Sequence, residues 1–413
     1  MTEISSDSPR IGVLSADLDL PERVREAGGE AVEVPVPEFY EEWGVALVRE
    51  WISDRLEVSL PFLGVEALAF DGDSPEELAG AVVAAIRLGL PAVSLAKPET
   101  PFAIAVAALG LCALDEDPAE AAVRLARDAE PDARSLAENF SFANALRAGL
   151  TVGGGPEVMV HLAAIAKEAD VVGFDQMLRV LAPETPAAAS VFSEWFEENG
   201  LPGVLNLLGD DLHDTRTVSG TLKSHARAAE SESSDERLKL SFIKARTSGA
   251  EAVCLAPEGR SAVEGACRVF DSEAEAVEAV FGGGLEDVGI LVVRGCGPRG
   301  YPGLCRLDEL AHAIEEAGIE GMSILTDGVA PEEAPGVWIS LFSPEAASRG
   351  IVGRLEHGDF LRFDLEDGRI LTSVGARDFA KRKRFKPATP ETSAYAARYA
   401  KSADTALNGA SFR

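Results

Sequence analysis

The sequence predicts an α/β protein with an N-terminal doubly wound α/β domain that carries added helices, and a smaller β-barrel-like C-terminal domain. Three observations predict this fold class. Strand and helix signals alternate over about the first 110 residues, helical patterns follow to about residue 225, and short β-rich runs fill residues 238–374. A chain of 413 residues is also too long for one ordinary core, so two domains suit its length.

The N-terminal segment alternates short apolar runs with helical patterns. The runs RIGVLSA, AVEVPV, VEALAF and LPAVSLA are typical of strands, and LPERVREAGG, EEWGVALVREWISDRLE and SPEELAGAVVAAIRLGL are typical of helices. In the third helix Ser74 and Glu77 form a capping box, and Pro75 takes the first helical position. Parallel strands joined by crossover helices are the simplest arrangement of this pattern.

Helical patterns then give way to β-rich runs across a polar, low-complexity segment, RAAESESSDER, at residues 227–237. We therefore place the α/β domain at residues 1–230, the barrel-like domain at 238–376, and a tail with a helix that packs back on the body at 377–413. The helical runs are PFAIAVAALGL, PAEAAVRLARDA, SLAENFSFANALRAG, PEVMVHLAAIAKEA and VFSEWFEENGL, and the β-rich runs are EAVCLA, ACRVF, GILVVR, SILTDG, GVWISL, FLRFDL and RILTSV.

The composition excludes several classes of partner. Asp plus Glu number 69 against 38 Lys plus Arg, which gives a net charge of −31. Such a surface repels phosphate backbones and anionic lipids, so we expect no nucleic-acid and no membrane partner. No apolar run approaches the roughly 18 residues of a membrane-spanning helix, and the N-terminus shows no signal-peptide pattern. We therefore predict a cytoplasmic protein.

A glycine motif follows the run GILVVR. Gly295, Gly297 and Gly300 have the GxGxxG spacing of a dinucleotide-binding turn. Pro298 and Pro302 argue against that function, because the motif must lead directly into a helix whose amides hold pyrophosphate. We interpret the glycines instead as a tight loop close to a ligand or to another backbone.

The five cysteines include no CxxC pair, and their odd number argues against a disulfide framework. Cys296 and Cys305 both lie in the glycine-rich loop, where they either bind a metal together or are simply two unpaired loop cysteines. His161 lies on an apolar helix and is typical of a buried imidazole. Asp71 follows a strand, where it either contacts a ligand or caps a helix.

Taken together, several segments resemble the dihydroxy-acid dehydratase and sugar-acid (phosphogluconate) dehydratase family. The segment LTVGGGPEVMVHLAAIA is similar to the family's GGSTNT-x-x-HL-x-AIA, and EGACRVFDSEAEAVEAV to its EGPA-x-VF-x-SE-x-x-A. The segment ILVVRGCGPRGYPG resembles VIRYEGPKGGPGMPEM, and ILTDG followed by SPEAA resembles ITDGRFSGG…SPEAA. Motif order and spacing are kept through nearly the whole chain, so the motifs taken together make the resemblance specific.

The resemblance implies a reaction that removes water from a 2,3-dihydroxy acid or an aldonic acid and leaves a 2-keto acid. It also implies the groups that perform it: an iron–sulfur cluster on three cysteines, a magnesium ion, and a serine base. In this chain the cluster cysteine of the CDK-x-x-PG motif falls on Phe70 and the magnesium-binding lysine on Gly72, so that only Asp71 is retained. The magnesium glutamate falls on Arg306 and the serine base on Pro331.

The two other cluster motifs also lack cysteine. The first falls near Ser15 to Asp17 and the third on Lys97 to Thr100. We therefore expect no iron–sulfur cluster and no magnesium ion, and hence no cofactor of this family.

These departures lead to two hypotheses. In the first, the chain is a divergent paralogue with a binding or regulatory role, which takes a small hydroxy acid as its ligand, forms a homodimer and associates with an intact dehydratase. In the second, it is a lyase that uses a different set of catalytic residues in the same cleft. Arginine would bind the substrate carboxylate there. The candidate cleft residues, which mix acids and bases with one tyrosine, are Asp71, Glu99, His161, Arg299, Tyr301, Arg306 and Asp327.

Overall fold

A computed structural model gives the three-dimensional structure of the chain. It describes residues 8–72, 74–95, 100–230, 238–245, 249–283, 285, 288–301, 303–332, 334–387 and 393–412. The expected mixed α/β class and the closed barrel are both confirmed.

A four-stranded parallel sheet forms the centre of the α/β domain, with the strand order β2-β1-β3-β4. Gly12 of β1 pairs with Val32 on one side and Leu68 on the other. Because the strands are parallel, their carboxyl ends meet at one edge of the sheet, where open α/β folds place ligands. The strands are β1 (Arg10–Leu14), β2 (Glu30–Glu33), β3 (Ala67–Phe70) and β4 (Ala92–Ser94).

Ten α-helices lie among the described residues of this region, several of them beginning where the sequence places a cap. The Ser74 hydroxyl accepts a hydrogen bond from the Glu77 amide at 3.3 Å, so the first half of the predicted capping box forms. The helices are α1 (Leu20–Glu26), α2 (Val45–Phe62), α3 (Pro75–Leu88), α4 (Pro101–Val106), which continues into a π-helical turn (Ala107–Leu111), α5 (Pro118–Asp128), α6 (Ala133–Leu136), α7 (Asn139–Thr151), α8 (Pro156–Glu168), α9 (Phe174–Glu184) and α10 (Glu194–Leu207).

Eight strands close into a barrel in the order β10-β11-β12-β8-β7-β14-β13-β9. Ile290 and Val292 of β10 pack in the barrel core, whereas Leu291 and Val293 pack in the larger core shared with the α/β domain. Burial on both faces explains why this strand is a continuous apolar run. The barrel strands are β7 (Leu238–Lys244), β8 (Glu251–Pro257), β9 (Ala262–Phe270), β10 (Ile290–Val293), β11 (Ser323–Thr326), β12 (Val337–Ser343), β13 (Phe360–Asp364) and β14 (Arg369–Thr372).

The remaining elements connect and cover these two units. A small hairpin, β5 (Arg216–Thr217) with β6 (Gly220–Thr221), precedes the barrel, and α11 (Glu273–Phe281) and α12 (Asp308–Glu316) pack against each other beside it. The tail contains α13 (Ala376–Lys381) and α14 (Ala394–Ser402), and the Tyr395 hydroxyl of α14 donates to Asp54 of α2 at 2.7 Å. In the described part of the chain, no helix combines the length and apolarity that crossing a bilayer requires.

The barrel loop after β10 supplies hydrogen-bond acceptors to the start of α2. The amides of Val45 and Ala46 donate to the carbonyls of Leu304 and Gly303 at 3.1 and 2.8 Å. First-turn amides have no acceptor within their own helix, so these carbonyls satisfy them. The approach is close enough that a Cβ atom on Gly303, whose φ is +97°, would lie 2.2 Å from the Leu47 Cβ.

We predict that Gly303→Ala lowers the free energy of unfolding by at least about 2 kcal/mol more than Gly318→Ala does, because it adds a steric clash to the backbone strain. Gly318 also has a positive φ, +63°, but a Cβ there meets nothing within 4 Å, so this control should lose only about 1–2 kcal/mol. Urea denaturation of both variants measures the difference. Equal losses would contradict the close packing of Gly303 against α2.

Candidate functional site

Four ionisable side chains converge where the α/β domain meets the barrel loop. Glu76 lies in the first turn of α3, Glu157 in the first turn of α8, and Arg306 just before α12. His161 follows Glu157 by four residues, so both side chains project from the same face of α8. We call Glu76, Glu157, His161 and Arg306 the cleft cluster.

Arg306 links the barrel loop to the acids in the first turns of α3 and α8. Its Nη1 atom donates to both carboxylate oxygens of Glu157, at 2.9 and 3.2 Å, and lies 3.7 Å from Glu76 Oε2. Its Nε atom donates to Asp308 at 2.7 Å. The Glu157 side chain is 1% exposed, so this arginine is the cation that compensates a buried charge.

A second buried arginine, Arg49, contacts the Nδ1 side of the His161 ring. Arg49 Nη1 lies 3.2 Å from His161 Nδ1, and because a guanidinium only donates, Nδ1 accepts and the ring proton belongs on Nε2. That Nε2 atom lies 3.5 Å from Glu157 Oε1 and is buried with no hydrogen-bond partner among the described residues. His161 is therefore a fixed hydrogen-bond donor that points into the cleft cluster.

The same tautomer determines whether the cleft cluster is suited to bind a metal ion. Within the described residues, only Glu76, Glu157 and His161 bring three potential ligand atoms within 4.8 Å of one another. A metal ion would need the lone pair of Nε2, which the Arg49 contact assigns to a proton. The positively charged guanidinium of Arg306 also lies beside both carboxylates. The geometry thus favours a hydrogen-bonding site over a metal centre.

Burial and neighbouring charges shift the pKa values of Glu76 and Glu157 in opposite directions. Burial, with the charge of Glu157 beside it, raises the pKa of Glu76 to about 7 despite the opposing charge of Arg306. Burial also opposes ionisation of Glu157, but the adjacent imidazole of His161 and the charge and hydrogen bonds of Arg306 outweigh it and lower its pKa. Burial, together with the nearby arginines, lowers the pKa of His161. Near neutral pH the cleft cluster therefore pairs an ionised acid with a titrating one.

A cavity of about 410 Å³ opens onto this arrangement. Glu157 and Arg306 form part of its wall, and Pro331 lies on the wall as well. Most of the other ionisable wall residues are acidic, so the cavity favours ligands that offer hydrogen-bond donors. The rest of the lining consists of Pro75, Thr100, Asp308, Ala311, His312, Glu315, Glu332 and Pro335.

Two of the candidate cleft residues predicted from the sequence, His161 and Arg306, lie together in the cleft cluster. Asp71 instead lines a separate cavity of about 490 Å³ at the carboxyl edge of the sheet, where the Ser15 hydroxyl donates to it at 2.7 Å. Glu99 lies outside the described residues.

The three candidates from the barrel lie apart from the 410 Å³ cavity. Asp327 accepts backbone hydrogen bonds from Gly295, Cys296 and Ala346, and Arg299 donates to the Ala403 carbonyl at 2.8 Å. Those two side chains line a smaller cavity of about 180 Å³. Tyr301 is half-buried, and burial and the nearby Cys305 raise the pKa of its hydroxyl. Their contacts give Asp327 and Arg299 roles in holding the loop and tail in place.

Sequence reasoning missed Glu76, Glu157 and Arg49. Glu157 had a detectable signal, since it stands one helical turn before His161. Glu76 and Arg49 had none: both become neighbours of the site only through packing between distant segments.

Comparison with known proteins places the chain in context. Family models of the dihydroxy-acid/6-phosphogluconate dehydratase N-terminal and C-terminal domains match residues 98–225 and 245–410. A dihydroxy-acid dehydratase of Geobacter metallireducens is 33% identical over 302 residues, covering 67% of this chain and 54% of that protein. One from Archaeoglobus fulgidus is 30% identical over 292 residues, covering 65% and 53%. The chain thus spans about half the length of the relatives it matches.

We predict that Arg306→Met lowers the free energy of unfolding by about 3–5 kcal/mol, because it leaves the Glu157 charge buried without its cation. Adding Glu157→Gln should restore much of that loss, and urea denaturation of the four forms gives the coupling energy.

The matched control is the surface pair Arg362 and Glu264, whose side chains are 43% and 50% exposed. Its coupling should stay below about 1 kcal/mol, since solvent screens it. A cleft pair that couples no more strongly than this one would refute the role assigned to Arg306.

Proposed function

Because the chain belongs to the dihydroxy-acid/6-phosphogluconate dehydratase family, we propose that it uses this scaffold to bind a small hydroxylated ligand in the cleft, without an iron–sulfur cluster or magnesium. The observation that carries the proposal is the side chain of Arg306. By motif correspondence it stands where the family has its magnesium glutamate, and its guanidinium bridges Glu157 and Glu76. A protein cation thus neutralises acids that would otherwise attract a metal.

The positions of the lost ligands support the same proposal. Phe70, at the position of a cluster cysteine, is fully buried in β3. Gly72, at the position of the magnesium-binding lysine, packs so tightly that a Cβ atom would lie 2.8 Å from the Leu78 amide nitrogen. A longer side chain does not fit there without a shift of the backbone.

The cysteines also do not offer the set that a cluster needs, which is several thiolates meeting at one point. All five are free and buried. Cys112 packs within the helices of the α/β domain, and Cys254 and Cys267 pack in the barrel core. Cys296 and Cys305 are neighbours in the loop after β10. The donor set of this chain therefore does not fit the cofactor, and we derive no chemistry from it.

The ligand's hydroxyl groups would donate to the carboxylates of the 410 Å³ cavity. A ligand carboxylate would take the place of Asp308 on Arg306, because Asp308 is 55% exposed and regains full hydration when released. These two contacts select a small hydroxy acid. A homodimer and an association with an intact dehydratase remain predictions from the family resemblance.

Anaerobic reconstitution with ferrous iron and sulfide tests the cofactor part of the proposal. We expect acid-labile sulfide to stay far below one cluster per chain, and no higher than in a Cys296→Ala/Cys305→Ala control. A stoichiometric cluster in the wild-type protein would overturn it. Calorimetric titration with hydroxy acids should show binding that Arg306→Met weakens at least about tenfold, the loss expected for one charge-assisted contact.

A second candidate function is a lyase with acid–base groups of its own, and the pKa of Glu76, raised to about 7, favours it. A carboxyl group that titrates near neutrality can protonate a leaving hydroxyl. Its activity would require the protonated form, so it should be present below pH 7 and fall as the pH rises above 7.

Keto-acid formation from dihydroxy acids and sugar acids measures this activity. Glu76→Gln should abolish it, whereas Glu26→Gln, an exposed acid on α1, should leave it unchanged. The lyase hypothesis is rejected if the wild-type protein forms no keto acid, or if the rate shows no loss above neutral pH.

A further inference from the structure

Two cysteines lie side by side in the loop between β10 and α12. The Cys305 amide donates to the Cys296 carbonyl at 2.8 Å, which pairs the two backbones. Both residues are buried, 3% and 7% exposed. By the motif correspondence above they fall on a glutamate and a proline of VIRYEGPKGGPGMPEM, so the pair belongs to this chain and not to the family pattern.

A carboxylate approaches the pair from the start of α11. Glu273 Oε2 lies 3.6 Å from Cys305 Sγ, and its other oxygen accepts from the Leu310 amide at 2.9 Å. That second bond fixes the carboxylate in place. Arg306, the next residue along the chain, directs its guanidinium to Glu157 and Asp308. The Cys305 thiol and an acid therefore meet, with Cys296 on the adjacent backbone, while the guanidinium of Arg306 pairs with other acids.

The spacing suits a thiophilic metal ion. Around tetrahedral zinc, with Zn–S near 2.3 Å and Zn–O near 2.1 Å, a sulfur and an oxygen ligand lie about 3.6 Å apart. The observed distance between Cys305 Sγ and Glu273 Oε2 is 3.6 Å. Two thiolates and one carboxylate also supply the soft, anionic ligands that such an ion prefers.

We propose that Cys296, Cys305 and Glu273 bind one thiophilic divalent cation of the zinc class. Only the cleft cluster contains three described ligand atoms within 4.8 Å of one another, so the Cys296 sulfur moves toward Glu273 when the ion binds. Binding displaces two thiol protons, and water completes the coordination sphere. This inference is independent of the proposed function, because it uses none of the cleft acids.

Cobalt(II) titration of the reduced, metal-free protein tests the proposal, since thiolate ligation gives a sulfur-to-metal charge-transfer band in the near ultraviolet. We expect the band to saturate at one cobalt per chain and to be displaced by zinc. Cys296→Ala and Cys305→Ala should abolish it, and Glu273→Gln should weaken binding at least about tenfold, the loss expected for one ligand. Cys112→Ala, a buried thiol in the other domain, is the matched control and should keep the band.

A second measurement avoids variants that fail to fold. The wild-type protein is labelled with a thiol reagent during partial unfolding, with and without zinc, and its peptides are analysed by mass spectrometry. Zinc should protect Cys296 and Cys305 and leave the other three cysteines equally reactive. The proposal fails if cobalt gives no sulfur band, if the band survives in the double variant, or if zinc protects all five thiols alike. Metal bound only by the cleft cluster would show no sulfur band and would also count against it.

Discussion

The structure depends on a short barrel segment, residues 303–306, that serves both domains at once. Its first two carbonyls accept from the opening amides of α2, and its last residue ion-pairs with Glu157 at the start of α8. Helix starts carry unsatisfied donors and partial positive charge, so each needs a partner from outside the helix. One loop thus caps one helix by hydrogen bonding and, through Arg306, neutralises an acid in the first turn of another.

This arrangement explains why the cleft is polar yet tightly ordered. Arg49 and Arg306 both contact side chains on one face of α8, Arg49 through His161 and Arg306 through Glu157. Buried charges are costly unless each has a counter-charge and good hydrogen bonds, and here the pairing is nearly complete. The exceptions, His161 Nε2 and Glu76 Oε2, are buried with no hydrogen-bond partner in the described structure.

The sequence was informative wherever local patterns determine structure. The four parallel strands and seven of the eight barrel strands follow from apolar runs, and the cap at Ser74 forms as expected. Strand β7 was not predicted, because its segment LKLSFIK mixes lysines with apolar residues and lies beside a low-complexity run. Helix α9 was missed although Phe174, Leu178 and Ala182 are buried at helical spacing. The site was less predictable, because Glu76 and Arg49 reach it through contacts between remote segments, and such pairings leave no periodic signal.

The Arg49 network also has a consequence for the order in which the molecule assembles. Arg49 Nη2 donates to the Gly409 carbonyl at 2.6 Å, across a sequence separation of 360 residues, and Lys167 Nζ donates to Ser411 at 2.9 Å. Contacts this remote raise the contact order and form late. The Arg49 guanidinium therefore has all the acceptors that it has in the folded chain only once the tail has docked against α2 and α8.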